Sequence, residues 1–146
     1  KKAYKTSELQ RRQSYSKHYI KSYEKLSKCL GNLDAFYNCI VFDNSCIEKF
    51  RKKTFETYKK VKEVEFEAKL LLNDEISYYV IEISQKLNVF LKAIARNSGL
   101  NDTQKNEEYL NLHNYIEKQI HLSEKSEGTK KSYIVLKYRK FINVQL

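Results

Sequence analysis

The sequence has no proline, no methionine and no tryptophan, and its glycines are limited to Gly31, Gly99 and Gly128. Sheet-rich folds and Rossmann-like enzymes need far more turn punctuation, so this scarcity argues against both and points to long helices. Long apolar runs are missing too: no stretch approaches the ~20 apolar residues that cross a bilayer, and the residues read as soluble. Cys29, Cys39 and Cys46 form no CxxC pair and have no matching histidine cluster, so they read as reduced thiols packed as small apolar side chains. With no initiating methionine and an opening Lys1-Lys2-Ala3-Tyr4, the sequence reads as a piece of a longer chain.

What is present is helical patterning. The 146 residues suit one domain. Tyr19, Tyr23, Leu26, Leu30, Leu33, Tyr37 and Ile40 return at alternating steps of four and three, which is a heptad seam. Traced backward, the seam meets Ser16, Arg12, Leu9 and Lys5 and turns polar before about Ser16, so residues 1–16 are expected as a polar stem and 17–146 as the bundle. A helix from Tyr4 to Phe42 would be about 58 Å long at ~1.5 Å per residue, with Gly31 inside it as a point of close approach or mild kinking.

A turn at Asp43-Asn44-Ser45 precedes a second helix over 46–72, with Ser45 and Glu48 as a capping box. Its expected apolar positions are Ile47, Phe50, Phe55, Tyr58, Val61, Ala68, Leu71 and Leu72. Asn73-Asp74 caps a third helix carrying Ile76, Val80, Ile83, Leu87, Phe90 and Ile94, the cleanest core stripe in the chain. Asn97-Ser98-Gly99 ends it, and Asp102 or Thr103 opens a fourth helix to about Ser123, faced by Tyr109, Leu112, Ile116 and Ile120. Lys125 to Lys131 reads as an exposed loop, and Ser132 to Leu146 as a last helix. The expected fold is all-α, an antiparallel bundle of four to five helices with a long, protruding first helix.

Charge is unevenly placed. Residues 1–30 hold nine Lys or Arg against two Glu, a net of +7, whereas residues 101–128 hold three Lys against six acids, a net of -3. Residues 129–146 add five basic side chains and no acid. Such polarity suits an acidic protein, an anionic membrane surface or nucleic acid.

Little of the sequence suggests chemistry. His113 and His121 lie eight apart, with Glu108, Glu117 and Glu124 near, and no HExxH or i, i+4 histidine pair is present, so no metal and no cofactor are expected. Glu63, Glu65 and Glu67 are expected to neutralise the neighbouring lysines Lys59, Lys60, Lys62 and Lys69. Arg12-Gln13-Ser14-Tyr15-Ser16-Lys17-His18 resembles the catalytic motif of HEPN-type ribonucleases, and the resemblance would make Arg12 and His18 the pair that handles the scissile phosphate. That family carries the motif on a late helix, and here it stands near the start of the first. Six residues of helix also turn the two side chains about 120° apart.

A broader likeness rests on Tyr4-Lys5-Thr6-Ser7-Glu8-Leu9-Gln10-Arg11-Arg12-Gln13, Tyr23-Glu24-Lys25-Leu26, Phe66-Glu67-Ala68-Lys69-Leu70-Leu71-Leu72 and Lys137-Tyr138-Arg139-Lys140-Phe141. In these stretches the chain resembles uncharacterised bacterial proteins with one N-terminal membrane helix followed by a cytoplasmic helical domain. The resemblance implies a membrane anchor upstream, with Lys1, Lys2, Lys5, Arg11 and Arg12 on the cytoplasmic side against anionic head groups. The expected function is a non-enzymatic protein-interaction or scaffold domain without catalytic residues. Its expected partners are another protein or a second copy of itself, with self-association along the first helix. The competing expectation is a nucleic-acid-binding protein or an HEPN-like ribonuclease using Arg12 and His18.

Overall fold

The structure, a computed structural model, describes the backbone of residues 2–42, 47–121, 124–126 and 129–142, and the side chains of 16–37, 48–121 and 132–142. Helix α1 runs without interruption over Lys2–Phe42, α2 over Ile47–Leu71, α3 over Asp74–Ala93 and α4 over Asp102–Ile120. Two three-residue strands follow, β1 (Glu124–Ser126) and β2 (Thr129–Lys131), and then the short helix α5 (Tyr133–Tyr138), extended by a 3-10 turn over Arg139–Phe141. The core is helical throughout. No described helix is long and apolar enough to cross a membrane.

The seam of α1 behaves as its spacing predicts: Tyr19, Leu26, Leu30 and Leu33 are fully buried, and Tyr23 and Tyr37 pack against the same core. Ile40 lies outside the described side chains, as do the turn at 43–45 with its capping box, Cys39 and Cys46. Along α2 the contacts run in the opposite order to α1. Phe36 and Tyr37 meet Phe50 near one end, Lys25 meets Glu67 further along, and the Tyr19 hydroxyl accepts the Asn73 N–H just beyond the helix.

Helix α2 corrects the expected stripe. Phe55 and Leu71 stand 51% and 47% exposed, while the buried positions are Phe50, Thr54, Thr57, Val61, Val64 and Ala68, with Glu65 buried beside Val64. Setting Glu65 aside, these return at four, three, four, three and four, so the helix carries a regular seam with threonine at two inward positions. Thr54 tolerates burial because its hydroxyl donates to the Phe50 carbonyl at 2.8 Å, leaving a β-branched surface for packing. Phe50 itself is an aromatic hub, with Phe36, Tyr37, Phe90 and Tyr109 rings around it at centroid distances of 5.6–6.2 Å.

Caps set the next helix starts. Asn73 accepts the Ile76 N–H at 3.1 Å, so one residue caps α3 and ties it to Tyr19 of α1. The stripe of α3 is buried as expected, from Ile76 to Ile94. Its connection to α4 passes through Gly99 at φ 81°, the left-handed region where glycine is favoured. Helix α4 opens at Asp102, one of the two expected positions, behind an Asn101 cap: the Asn101 side chain accepts the Gln104 N–H while the Gln104 side chain accepts the Asn101 N–H, a reciprocal capping box.

The expected exposed loop is instead a hairpin, pairing Glu124 with Lys131, Lys125 with Lys130 and Ser126 with Thr129. Antiparallel pairing satisfies backbone groups that an irregular loop would leave to solvent. Beyond it Ile134 and Tyr138 are buried, and α5 docks on α1 through Ser22 Oγ to Tyr138 Oη at 2.8 Å and a Tyr19–Phe141 stack at 4.9 Å. Burial pushes the Tyr138 hydroxyl up to about 12, with the Ser22 hydrogen bond pulling the other way. It therefore stays neutral.

The surroundings of Gly31 differ from expectation, since nothing lies within 4 Å of where a Cβ would sit. No close approach requires glycine there, so Gly31→Ala should stabilise the fold by about 0.5–1 kcal/mol through helix propensity and lost unfolded-state freedom. Chemical denaturation followed by circular dichroism measures it. By the same assay Phe50→Ala should cost about 3–5 kcal/mol, since four ring contacts collapse together.

Candidate functional site

Two places gather polar side chains by packing rather than by sequence proximity. One is a groove of about 270 Å³ between α1 and α2, lined by Lys25, Lys28, Asn32, Lys53, Lys60 and Glu63, with Cys29, Thr57 and Val64 also in its lining. Lys25 is engaged by Glu67 at 3.0 and 3.2 Å. Among the described residues, Lys28, Lys53 and Lys60 have no carboxylate at ion-pair distance. Burial pushes the Cys29 thiol up, against the opposing pull of Lys60, so it remains a protonated thiol rather than a nucleophile. The groove is a cationic trough without an activated group.

The other place is a cluster between α1 and α4. Asp34 projects from α1, next to the seam residue Leu33, and its side chain is 12% exposed. His113 and Glu117 project from α4 four residues and about 40° apart, on one side of the helix, and His121, the C-cap residue just past its end, follows them. His113 Nδ1 lies 3.0 Å from Asp34 Oδ1 and its Nε2 lies 3.2 Å from Glu117 Oε1, while His121 Nε2 lies 3.1 Å from Asp34 Oδ2. The carboxylate of Asp34 thus sits between two imidazoles. Tyr37 stacks on the His113 ring at 4.1 Å and 12° and fixes its plane. Burial, with the charge of Glu117 beside it, pushes the Tyr37 hydroxyl up and keeps it neutral.

Inside this cluster, Asp34 Oδ1 and His113 Nδ1 are both buried and, despite their short separation, neither completes a hydrogen bond among the described residues. The reason is directional: an imidazole N–H lies in the ring plane and needs its acceptor near that line. One donor atom from each of Asp34, His113 and Glu117 falls within 4.8 Å of the others. The arrangement can hold a cation.

The sequence-expected positions fall elsewhere. Lys2, Lys5, Arg11 and Arg12 belong to α1, but their side chains, and Lys1 altogether, lie outside the described residues. His18 is exposed at a shallow depression with Lys21, Ser22, Glu67 and Leu71. Of the three acids on α2, Glu65 is bonded by Lys62 at 2.7 Å, with Lys69 at 3.7 Å, as neighbouring-turn pairing predicts, and also accepts Ser84 Oγ of α3 at 2.9 Å. Glu67 reaches across to α1 instead. The Asp34 cluster was missed because its signal, His-x3-Glu-x3-His on α4, becomes a site only when a carboxylate arrives from another helix.

Glu65 carries a pH dependence. Burial raises its carboxyl, but the hydrogen bonds from Lys62 and Ser84 and the charges of Lys62 and Lys69 outweigh that and hold it below its ordinary 4.5. The unfolded chain then binds its proton first as pH falls, so the stabilisation is complete above about 4.5 and is lost as pH drops through the lower folded value. Glu65→Ala should cost about 1.5–3 kcal/mol at neutral pH and flatten the acid limb of the stability profile. Denaturant midpoints between neutral and acid pH check it. Compared with known protein families, with curated proteins and with solved structures, the chain matches none, so its function is read from its own geometry.

Proposed function

We propose that this chain is a non-enzymatic interaction domain, an antiparallel helical bundle whose lysine-lined trough between α1 and α2 receives an acidic segment of a partner protein. The observation that carries the reading is the convergence of Lys28, Lys53 and Lys60 on one groove that Glu63 also lines, with no carboxylate at ion-pair distance from them among the described residues. Cations held together on two packed helices repel one another and gain from an anionic occupant, which also speeds encounter. The trough has apolar floor residues, Val64 and the Cys29 thiol, so an acidic helix or strand with small apolar side chains suits it better than a bare ion.

In this reading the domain works at the cytoplasmic face of a bacterial membrane. The +7 of residues 1–30 and the likeness to membrane-tethered helical domains support that location.

A fluorescently labelled glutamate-rich peptide, titrated with the chain at rising salt, tests the proposal. Binding should weaken with salt, and the triple variant Lys28→Glu, Lys53→Glu, Lys60→Glu should lose at least about tenfold in affinity with its helical circular dichroism unchanged. Peptide affinity unaffected by the triple variant would refute the trough. Salt-sensitive binding of labelled RNA, with cleavage lost in Arg12→Ala, would favour the nuclease reading instead.

A further inference from the structure

We infer that Asp34, His113 and Glu117, with His121 beside them, form a binding site for a divalent transition-metal ion of zinc's class. The inference is independent of the acidic-partner reading, since the cluster lies between α1 and α4 and shares no residue with the trough.

Geometry comes first. Zinc bonds of about 2.0–2.2 Å to nitrogen and oxygen, arranged tetrahedrally, place neighbouring donors roughly 3.3–3.6 Å apart. Asp34 Oδ1 and His113 Nδ1 stand 3.0 Å apart, so a few tenths of an ångström of side-chain movement opens the edge an ion needs. The third donor is already near, because one atom from each of Asp34, His113 and Glu117 lies within 4.8 Å of the rest.

The second argument is energetic. Asp34 Oδ1 and His113 Nδ1 are buried polar atoms facing each other without hydrogen-bond geometry, and leaving such atoms unsatisfied is costly. Two lone pairs directed at a shared cation answer that cost. The surrounding contacts fit a metal shell as well. Tyr37 fixes the imidazole plane by stacking, and His113 has a carboxylate beside each ring nitrogen, Asp34 at Nδ1 and Glu117 at Nε2.

Chemistry selects the ion. Imidazole with carboxylate and no thiolate suits zinc, cobalt or nickel, disfavours soft monovalent copper, and is poor for magnesium or calcium, which want oxygen alone. His121, 58% exposed and 3.1 Å from Asp34 Oδ2, stands at the solvent side, where it can close over the ion as a fourth ligand or orient Asp34 from outside. Ligands drawn from α1 and α4 make the role structural: the ion would pin the two helices together.

The test uses the whole chain, dialysed against chelator and titrated with zinc chloride by calorimetry and with cobalt chloride by visible absorption. One ion per chain, four-coordinate cobalt bands without thiolate charge transfer, and a zinc-dependent rise in melting temperature are expected. His113→Gln and Asp34→Asn should abolish all three. Glu117→Gln, at an exposed position where folding is not in question, should weaken zinc by about 10–100-fold, and His121→Ala by a similar factor. No stoichiometric ion, thiolate-to-cobalt absorption, or zinc binding that survives both His113→Gln and Glu117→Gln would overturn the site and leave a plain imidazole–carboxylate network.

Discussion

The fold depends on one apolar strip, the inward face of α1 from Tyr19 to Tyr37. Helices α2, α4 and α5 all lie against α1, and α3 is held in turn by α2, α4 and α5. A single uninterrupted helix can serve three neighbours because its heptad spacing keeps one face inward over many turns. Tyrosine makes the strip more than greasy. Tyr19 accepts the N–H of the α3 cap and stacks on Phe141, and Tyr37 stacks on His113, so the rings that fill the core also fix where helix ends and polar clusters sit.

This division explains how a basic chain with few turn residues gathers two polar sites without a pocket built from loops. Where α1 meets α2, the seams leave lysines along the shared margin, and the result is a trough in which Lys25, Lys28, Lys53 and Lys60 outnumber Glu63. Where α1 meets α4, the margin carries a carboxylate on one helix and a His-Glu-His row on the other. Both sites lie on rigid helices, which hold side chains more closely than loops do. Neither brings together the nucleophile, base and oxyanion donors that catalysis by covalent attack would need.

The sequence was most readable where pattern and chemistry agree. On α1 and α3, leucine, isoleucine, valine and tyrosine occupy the inward steps, and the buried faces follow directly from spacing. On α2 the same spacing was hidden, because Thr54 and Thr57 take inward positions while Phe55, Phe66 and Leu70 face outward. A reading that ranks residues by hydrophobicity drifts toward the phenylalanines; one that follows the strict period finds the threonines. The hairpin was hidden by its polarity. The Asp34 cluster lay beyond sequence reasoning for a deeper reason. Its spacing on α4 is visible, but nothing local says which residue of α1 will face it, and that is decided by how the seams interlock.

The alternation of His113, Glu117 and His121 along α4 bears on how the helices are aligned. Heptad seams alone permit a neighbour to slide by a turn, since leucines and isoleucines are nearly interchangeable from one layer to the next. Here Asp34 sits between two imidazoles. Shifting α4 by one turn in either direction would take one of the two histidines away from Asp34, leaving its half-dry carboxylate with fewer partners. The two histidines therefore favour the alignment in which both reach Asp34.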